Sequence, residues 1–192
     1  MSPKARAHSY LGAISAACAL LAACTPADGT APSTPPVTAS TASASETPPE
    51  TAQEREERLA YEAAEKAYRT FRAEYNRLYT SPDAGAKATK AMTNTAAGPY
   101  LQSMLGFLEY KVDHRRHSDR GVRIGYIRAG GYSPDEVVLL VCEDGSKVKV
   151  LDANGRQVSR GGVSKLTLYV RPIQGRWKVW NGDQNVVKSC DA

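Results

Sequence analysis

Histidine is scarce in this 192-residue chain, with three in all. His8 stands near the start, so only His114 and His117 are left in the body of the sequence. They lie three apart and could share a helix face, but no cysteine beside them is free to complete a set. A zinc site needs three or four protein ligands and is therefore not expected. No G-x-S-x-G elbow surrounds any serine, and no G-x-x-x-x-G-K phosphate loop occurs. These absences point away from an enzyme, and no cofactor is expected. A large excess of charge is missing too: 25 lysines and arginines face 20 aspartates and glutamates. Removing residues 1–23 takes away Lys4 and Arg6 and leaves 23 against 20, a balance too even to argue for nucleic acid. The apolar run at 11–21 is shorter than the ~20 residues that a membrane-spanning helix needs.

That short run has another use. Lys4, Arg6 and His8 form a basic start, the apolar stretch follows, and small residues lead into Leu21-Ala22-Ala23-Cys24. Small side chains suit a leader peptidase, and a thiolate at the next position can carry a lipid. The motif resembles the lipobox of bacterial lipoproteins, which implies that Cys24 becomes the lipidated first residue of the mature protein. An ordinary cleaved signal peptide with a chance cysteine is the alternative. The expectation is a signal peptide over 1–23 and lipid anchoring through Cys24, with the membrane as partner. The domain would then stand at the extracytoplasmic face of the cell membrane.

Residues 24–53 consist largely of Ala, Ser, Thr and Pro and show no apolar periodicity. Such a segment cannot bury enough surface to offset its ordering entropy and reads as a tether, either O-glycosylated or a plain spacer. The globular part is then 54–192. Cys18 falls in the leader and Cys24 takes the lipid, which leaves Cys142 and Cys190 as an even pair in an exported domain. A disulfide is the default expectation, and closing a loop of ~48 residues would contribute on the order of 4 kcal/mol.

Within the domain, residues 54–79 carry the clearest helical signal. Ala64, Ala67, Tyr68, Phe71, Tyr75, Leu78 and Tyr79 recur at three- and four-residue steps, and Ser81-Pro82 ends the run. The aromatics read as core, with a ligand cavity as the competing reading. A weak helix is expected over 83–92, a break over 94–99, and a third helix over 100–112 with Leu101, Leu105, Leu108 and Val112 inward. Lys111, His114, Arg115, Arg116, His117 and Arg120 follow at its end, where cations suit the orphan carbonyls. From 121 the period becomes that of strands. Val122, Ile124 and Tyr126 alternate, and Gly130-Gly131 with Ser133-Pro134 marks a turn. Residues 137–142 are apolar on both faces, as in a central strand covered on each side. Asn154-Gly155 closes a hairpin, residues 163–170 form another strand, and Gln174-Gly175 turns into Arg176-Trp177-Lys178-Val179-Trp180.

A long first helix, short helices and a strand meander with a Gly-Arg-Trp-x-Val hairpin resemble the NTF2-like (cystatin-like) domain. That resemblance implies an α+β fold, a long N-terminal helix plus short helices packed on a curved antiparallel sheet. More narrowly, six features resemble small actinobacterial lipoproteins of uncharacterised function. They are the lipobox, the tether, Ala67-Tyr68-Arg69, Val141-Cys142-Glu143-Asp144, Gly175-Arg176-Trp177 and Cys190. The resemblance carries no catalytic residue onto this chain. NTF2-like cones also resemble isomerases and cyclases that set a carboxylate and a tyrosine in an apolar cavity. Asp113, Asp119, Tyr68 and Tyr126 are the parts available for such a site, but both aspartates lie in a polar, basic segment where a carboxylate stays ionised.

Two readings follow. The first is a non-enzymatic binding module at the cell envelope, with an envelope component, an apolar ligand or a protein as partner. The second is an isomerase- or cyclase-type enzyme using the cavity. Tyr68, Phe71 and Tyr126 are the cavity candidates. Lys111, Arg115, Arg116 and Arg120 are the candidates for contact with an anionic surface.

Overall fold

A computed structural model describes residues 49–191, so the expected signal peptide, Cys24 and nearly all of the tether lie outside the described residues. The first helix, α1, spans Ala52–Thr80. Its start is set by a capping box: the Thr51 hydroxyl accepts from the Glu54 amide, and the Glu54 carboxylate accepts from the Thr51 amide. Its end falls at Ser81, whose extended backbone is the conformation that Pro82 imposes on its predecessor. The buried stripe is Ala60, Ala64, Ala67, Tyr68, Phe71, Arg72, Tyr75 and Leu78. It matches the expected face, with the addition of a charge at Arg72.

The next segment departs from expectation. Residues 83–89 are not helical, and α2 covers only Lys90–Thr95, capped by the Thr89 side chain. Lys111 ties this segment down: its buried Nζ donates to the carbonyls of Leu78 (3.0 Å), Ser81 (2.5 Å) and Ala84 (3.2 Å). The Leu78 carbonyl is free for it because Pro82, four residues on, has no N–H to offer. The third helix, α3, runs Gly98–Asp113, with proline near its start. Leu108 is buried and Leu101 and Leu105 half-buried, but Val112 is exposed and Lys111 takes the inward place.

The strands are β1 (His117–Ser118), β2 (Arg123–Ser133), β3 (Glu136–Asp144), β4 (Lys149–Leu151), β5 (Gln157–Arg160), β6 (Val163–Ile173) and β7 (Arg176–Val187). Four form an antiparallel sheet in the order β2-β3-β6-β7, and β1-β4-β5 make a smaller one. The Asn154-Gly155 hairpin is present, with Gly155 at φ +75°. The turn after β2 falls at Pro134-Asp135, whereas Gly130-Gly131 lies inside the strand at a register shift. α1 packs on β2, β3 and β7, strands that include both edges of the sheet, so the sheet curves around the helix. This is the α+β layout expected from the sequence: a long helix and two short ones on a curved antiparallel sheet.

Along β3, Val137, Leu139 and Val141 are buried against the helices, and Glu143 points the same way. The opposite face is not covered as expected, since Leu140 is 40% exposed there. Cys142 also lies on that face and is closed over by its disulfide to Cys190, with Cα atoms 5.7 Å apart. Because β6 lies between β3 and β7, the tail after Val187 crosses β6 to reach its partner.

A cavity floored by a buried ion pair

Helical spacing places Tyr68, Arg72 and Tyr75 on one side of α1, and strand alternation turns Glu143 of β3 toward them. The Tyr68 hydroxyl donates to Glu143 Oε1, and Arg72 Nη2 donates to Glu143 Oε2 at 2.5 Å. Arg72 and Glu143 are each 7% exposed. Burying two charges is costly unless each meets a partner, and here each does. The Arg72 guanidinium also lies over the Tyr75 ring, 5.4 Å from its centre. The pairing is one-sided. Tyr68 occupies the second carboxylate oxygen, so the guanidinium is held through a single nitrogen. Arg72 Nε is buried with no hydrogen-bond partner.

Electrostatics follow from this burial. Desolvation is the largest single influence on the Arg72 guanidinium and would lower it, but the Glu143 carboxylate together with Tyr68, Tyr100 and Tyr75 outweighs it and holds the group above its ordinary value. Desolvation, then the Glu143 charge, pushes the Tyr68 hydroxyl well up. Tyr75 and Tyr100 are also raised, chiefly by burial, so all three phenols stay neutral at physiological pH.

Above this cluster opens a cavity of about 240 Å³. Its walls are mainly apolar and aromatic, including Tyr79, Tyr100, Met104, Phe107, Val148 and Leu166. Polar groups at its border are largely engaged with one another. Asn76 bonds both backbone groups of Val122, donating to its carbonyl and accepting from its amide. Gln184 donates to the Ser164 hydroxyl, and Arg120 pairs with Asp119.

The structure distributes the sequence candidates unevenly. Tyr68 is fully buried beneath the floor, bonded to Glu143, and does not line the cavity. Phe71 is fully buried in the core against Tyr75 and Tyr100, at ring distances of 6.1 and 5.2 Å, and does not line the cavity. Tyr126 is on the far side of the sheet. A register shift between Ile124 and Tyr126 turns Ile124 and Ile127 inward and leaves Tyr126 on the face of Cys142, with Arg128 stacked 4.4 Å from its ring centre. Lys111 is corrected as a surface contact: it is 1% exposed and occupied by three carbonyls. Arg115 and Arg120 are exposed, and Arg116 stacks on Tyr110. Asp113 is exposed, and Asp119 binds the Lys149 amide and Arg120, so neither carboxylate enters the cavity. His114 stacks on Tyr110, with ring centres 4.0 Å apart. Among the described residues no cluster of three His, Cys, Asp or Glu could hold a metal, and no helix is long and apolar enough to cross a membrane.

Sequence reasoning missed Arg72, Glu143 and Tyr100. The first two left a signal. Arg72 interrupts an apolar stripe, and Glu143 continues the inward alternation of 137, 139 and 141. A charge at an inward position calls for an opposite charge on the element facing it.

No family model and no curated protein matches the chain. Solved structures similar to it include the intermembrane space region of chloroplast protein ARC6, at 12% identity and TM-score 0.49, covering 67% of this chain and 96% of that one. Another is an uncharacterised protein with a cystatin-like fold from Caulobacter vibrioides, at 16% identity and TM-score 0.41, covering 68% and 91%. A third is a protein of the NTF2-like family from Streptomyces avermitilis, at 12% identity and TM-score 0.42, covering 69% and 99%.

Proposed function

We propose that this chain is an exported lipoprotein anchored to the membrane through Cys24, whose folded domain is a non-enzymatic binding module at the cell envelope. Its cavity takes a small, largely apolar ligand. The observation that carries this reading is the cavity of about 240 Å³ with aromatic walls, a concave apolar site with few polar groups being the usual form of a ligand pocket. The address rests on the basic start, the short apolar run and the Leu21–Cys24 box.

One observation favours the enzymatic reading, an isomerase or cyclase type, namely the Glu143 carboxylate at the cavity floor with the Tyr68 hydroxyl bonded to it from beneath. Proton abstraction requires a carboxylate oxygen within reach of substrate. Both Glu143 oxygens are taken, one by Tyr68 and one by Arg72, so binding is the better supported of the two.

Two arms test the proposal. Cys24→Ala should shift the protein out of the membrane fraction, and unchanged fractionation would contradict the anchor. The neutral fluorescent probe N-phenyl-1-naphthylamine should brighten with the unlipidated mature chain. Met104→Trp, which fills the cavity, should abolish that signal. No brightening, or equal brightening in the filled variant, would remove the binding site from the account.

A further inference from the structure

The rim of the cavity is a surface of its own. Of the lining residues, Phe107, Arg120 and Gln184 are exposed and mark the opening. Helical spacing sets Tyr110 and His114 beside Phe107 on one side of α3, and the Tyr110 and His114 rings stack there. Phe107 is 54% exposed and Tyr110 45%. Strand alternation puts Val186, 80% exposed, on the face of β7 that carries Gln184. Large apolar side chains gathered at one rim, rather than scattered singly, mark an interaction surface.

The same rim is cationic. Arg115, Arg116 and Arg120 follow α3, with Arg116 donating to the Tyr110 hydroxyl. Arg123 and Lys147 border a shallow cleft that Arg120 shares. The carboxylates nearby are Asp113, exposed on α3, Asp119, paired with Arg120, and Asp144, paired with Arg123. Cations outnumber them, and Glu109 lies across the helix from Phe107. Exposed aromatics among arginines suit the interface of an anionic bilayer, where rings settle at headgroup level and guanidinium groups pair with lipid phosphates.

We infer that this rim is a docking surface for an anionic lipid bilayer, so that the cavity opens onto the membrane. A bilayer is favoured over an acidic protein because the lipid anchor proposed above holds the domain beside one, and the inference rests on that reading for proximity alone. The rim lies toward the end of α1, where Tyr79 lines the cavity, whereas the tether joins at its start. The distance is within reach. The chain from Cys24 to Thr51, about 27 residues, extends to at most ~90 Å, and the 29-residue α1 is ~43 Å long.

Sedimentation of the unlipidated mature chain with vesicles makes the test, using phosphatidylcholine alone or with phosphatidylglycerol in a two-to-one ratio. At about 0.1 M salt the mixed vesicles should bind about tenfold more tightly, and at about 0.5 M most of that difference should vanish. Arg115→Gln with Arg120→Gln, both exposed, should weaken binding about tenfold. Arg55→Gln with Arg176→Gln removes equal charge at the start of α1 and at the turn between β6 and β7, and should weaken it no more than about twofold. Phe107→Trp should add emission that brominated phosphatidylcholine quenches in mixed vesicles, beyond any quenching of the native Trp177 and Trp180. Binding to neither vesicle, equal binding to both, equal loss in the two arginine pairs, or no added quenching at position 107 would each overturn the inference. None of these results bears on the anchor. The Cys24→Ala fractionation tests that separately, after a salt wash that releases docked protein and leaves lipidated protein in place.

Discussion

Arg72 and Glu143 bring two charges into the interior of the domain, each 7% exposed. A buried ion pair is weak evidence of net stabilisation, because desolvation of both charges offsets most of their attraction. Breaking it is another matter, since the survivor is left charged and unpaired. Arg72→Met alone should therefore cost about 3–5 kcal/mol. Replacing the cluster as a whole, by Tyr68→Phe, Arg72→Met and Glu143→Leu together, should cost less than that single change. Denaturant melts of the two variants supply the comparison. A combined loss equal to the sum of the separate ones would mean that the three side chains act independently. One member of this cluster, Tyr68, was read from the sequence, on its stripe. Arg72 and Glu143 were missed, although each is a charge at an inward position. That they meet was not legible, because which turn of α1 faces which residue of β3 depends on packing between elements 71 residues apart.

At the scale of elements, helix ends and strand turns were readable because their causes are local. Ser81-Pro82 stops α1 by a clash between adjacent residues, and Asn154-Gly155 turns a hairpin because glycine tolerates the φ required. The departures came from non-local causes. Of the expected helix over 83–92 only the end, from Lys90, is helical, and the irregular stretch before it is tied down by Lys111 of α3, which binds carbonyls at the end of α1 and in the next segment. Lys111 was expected to meet an anionic surface and is instead an internal tie between two helices. Its burial draws its ammonium below the ordinary lysine range. Lys111→Met should leave buried carbonyls unsatisfied and cost about 1–3 kcal/mol, read from a chemical melt. Binding to anionic vesicles should not change. Weakened vesicle binding with unaltered stability would return Lys111 to the surface. Tyr126 shows the same limit in a strand. Alternation placed it with Ile124, and one added residue at a register shift put it on the other face.

For the whole molecule, the element pattern and the resemblance it carries led to the α+β layout, and an even count of domain cysteines led to their pairing. It disclosed no site, since a cavity is made by what three elements leave unfilled between them. The account of function rests on that space: aromatic walls and a floor whose charges are paired. The central claim is that a small molecule occupies it in the organism that makes the protein. The most direct measurement is native mass spectrometry of the full chain, taken from its own membranes in a mild non-ionic detergent. The account predicts a discrete non-covalent adduct of small mass on the wild-type protein, beyond the covalent lipid, and its loss in Met104→Trp. Wild-type protein carrying no adduct and showing no affinity for N-phenyl-1-naphthylamine, or an adduct that persists undiminished in the filled variant, would contradict it.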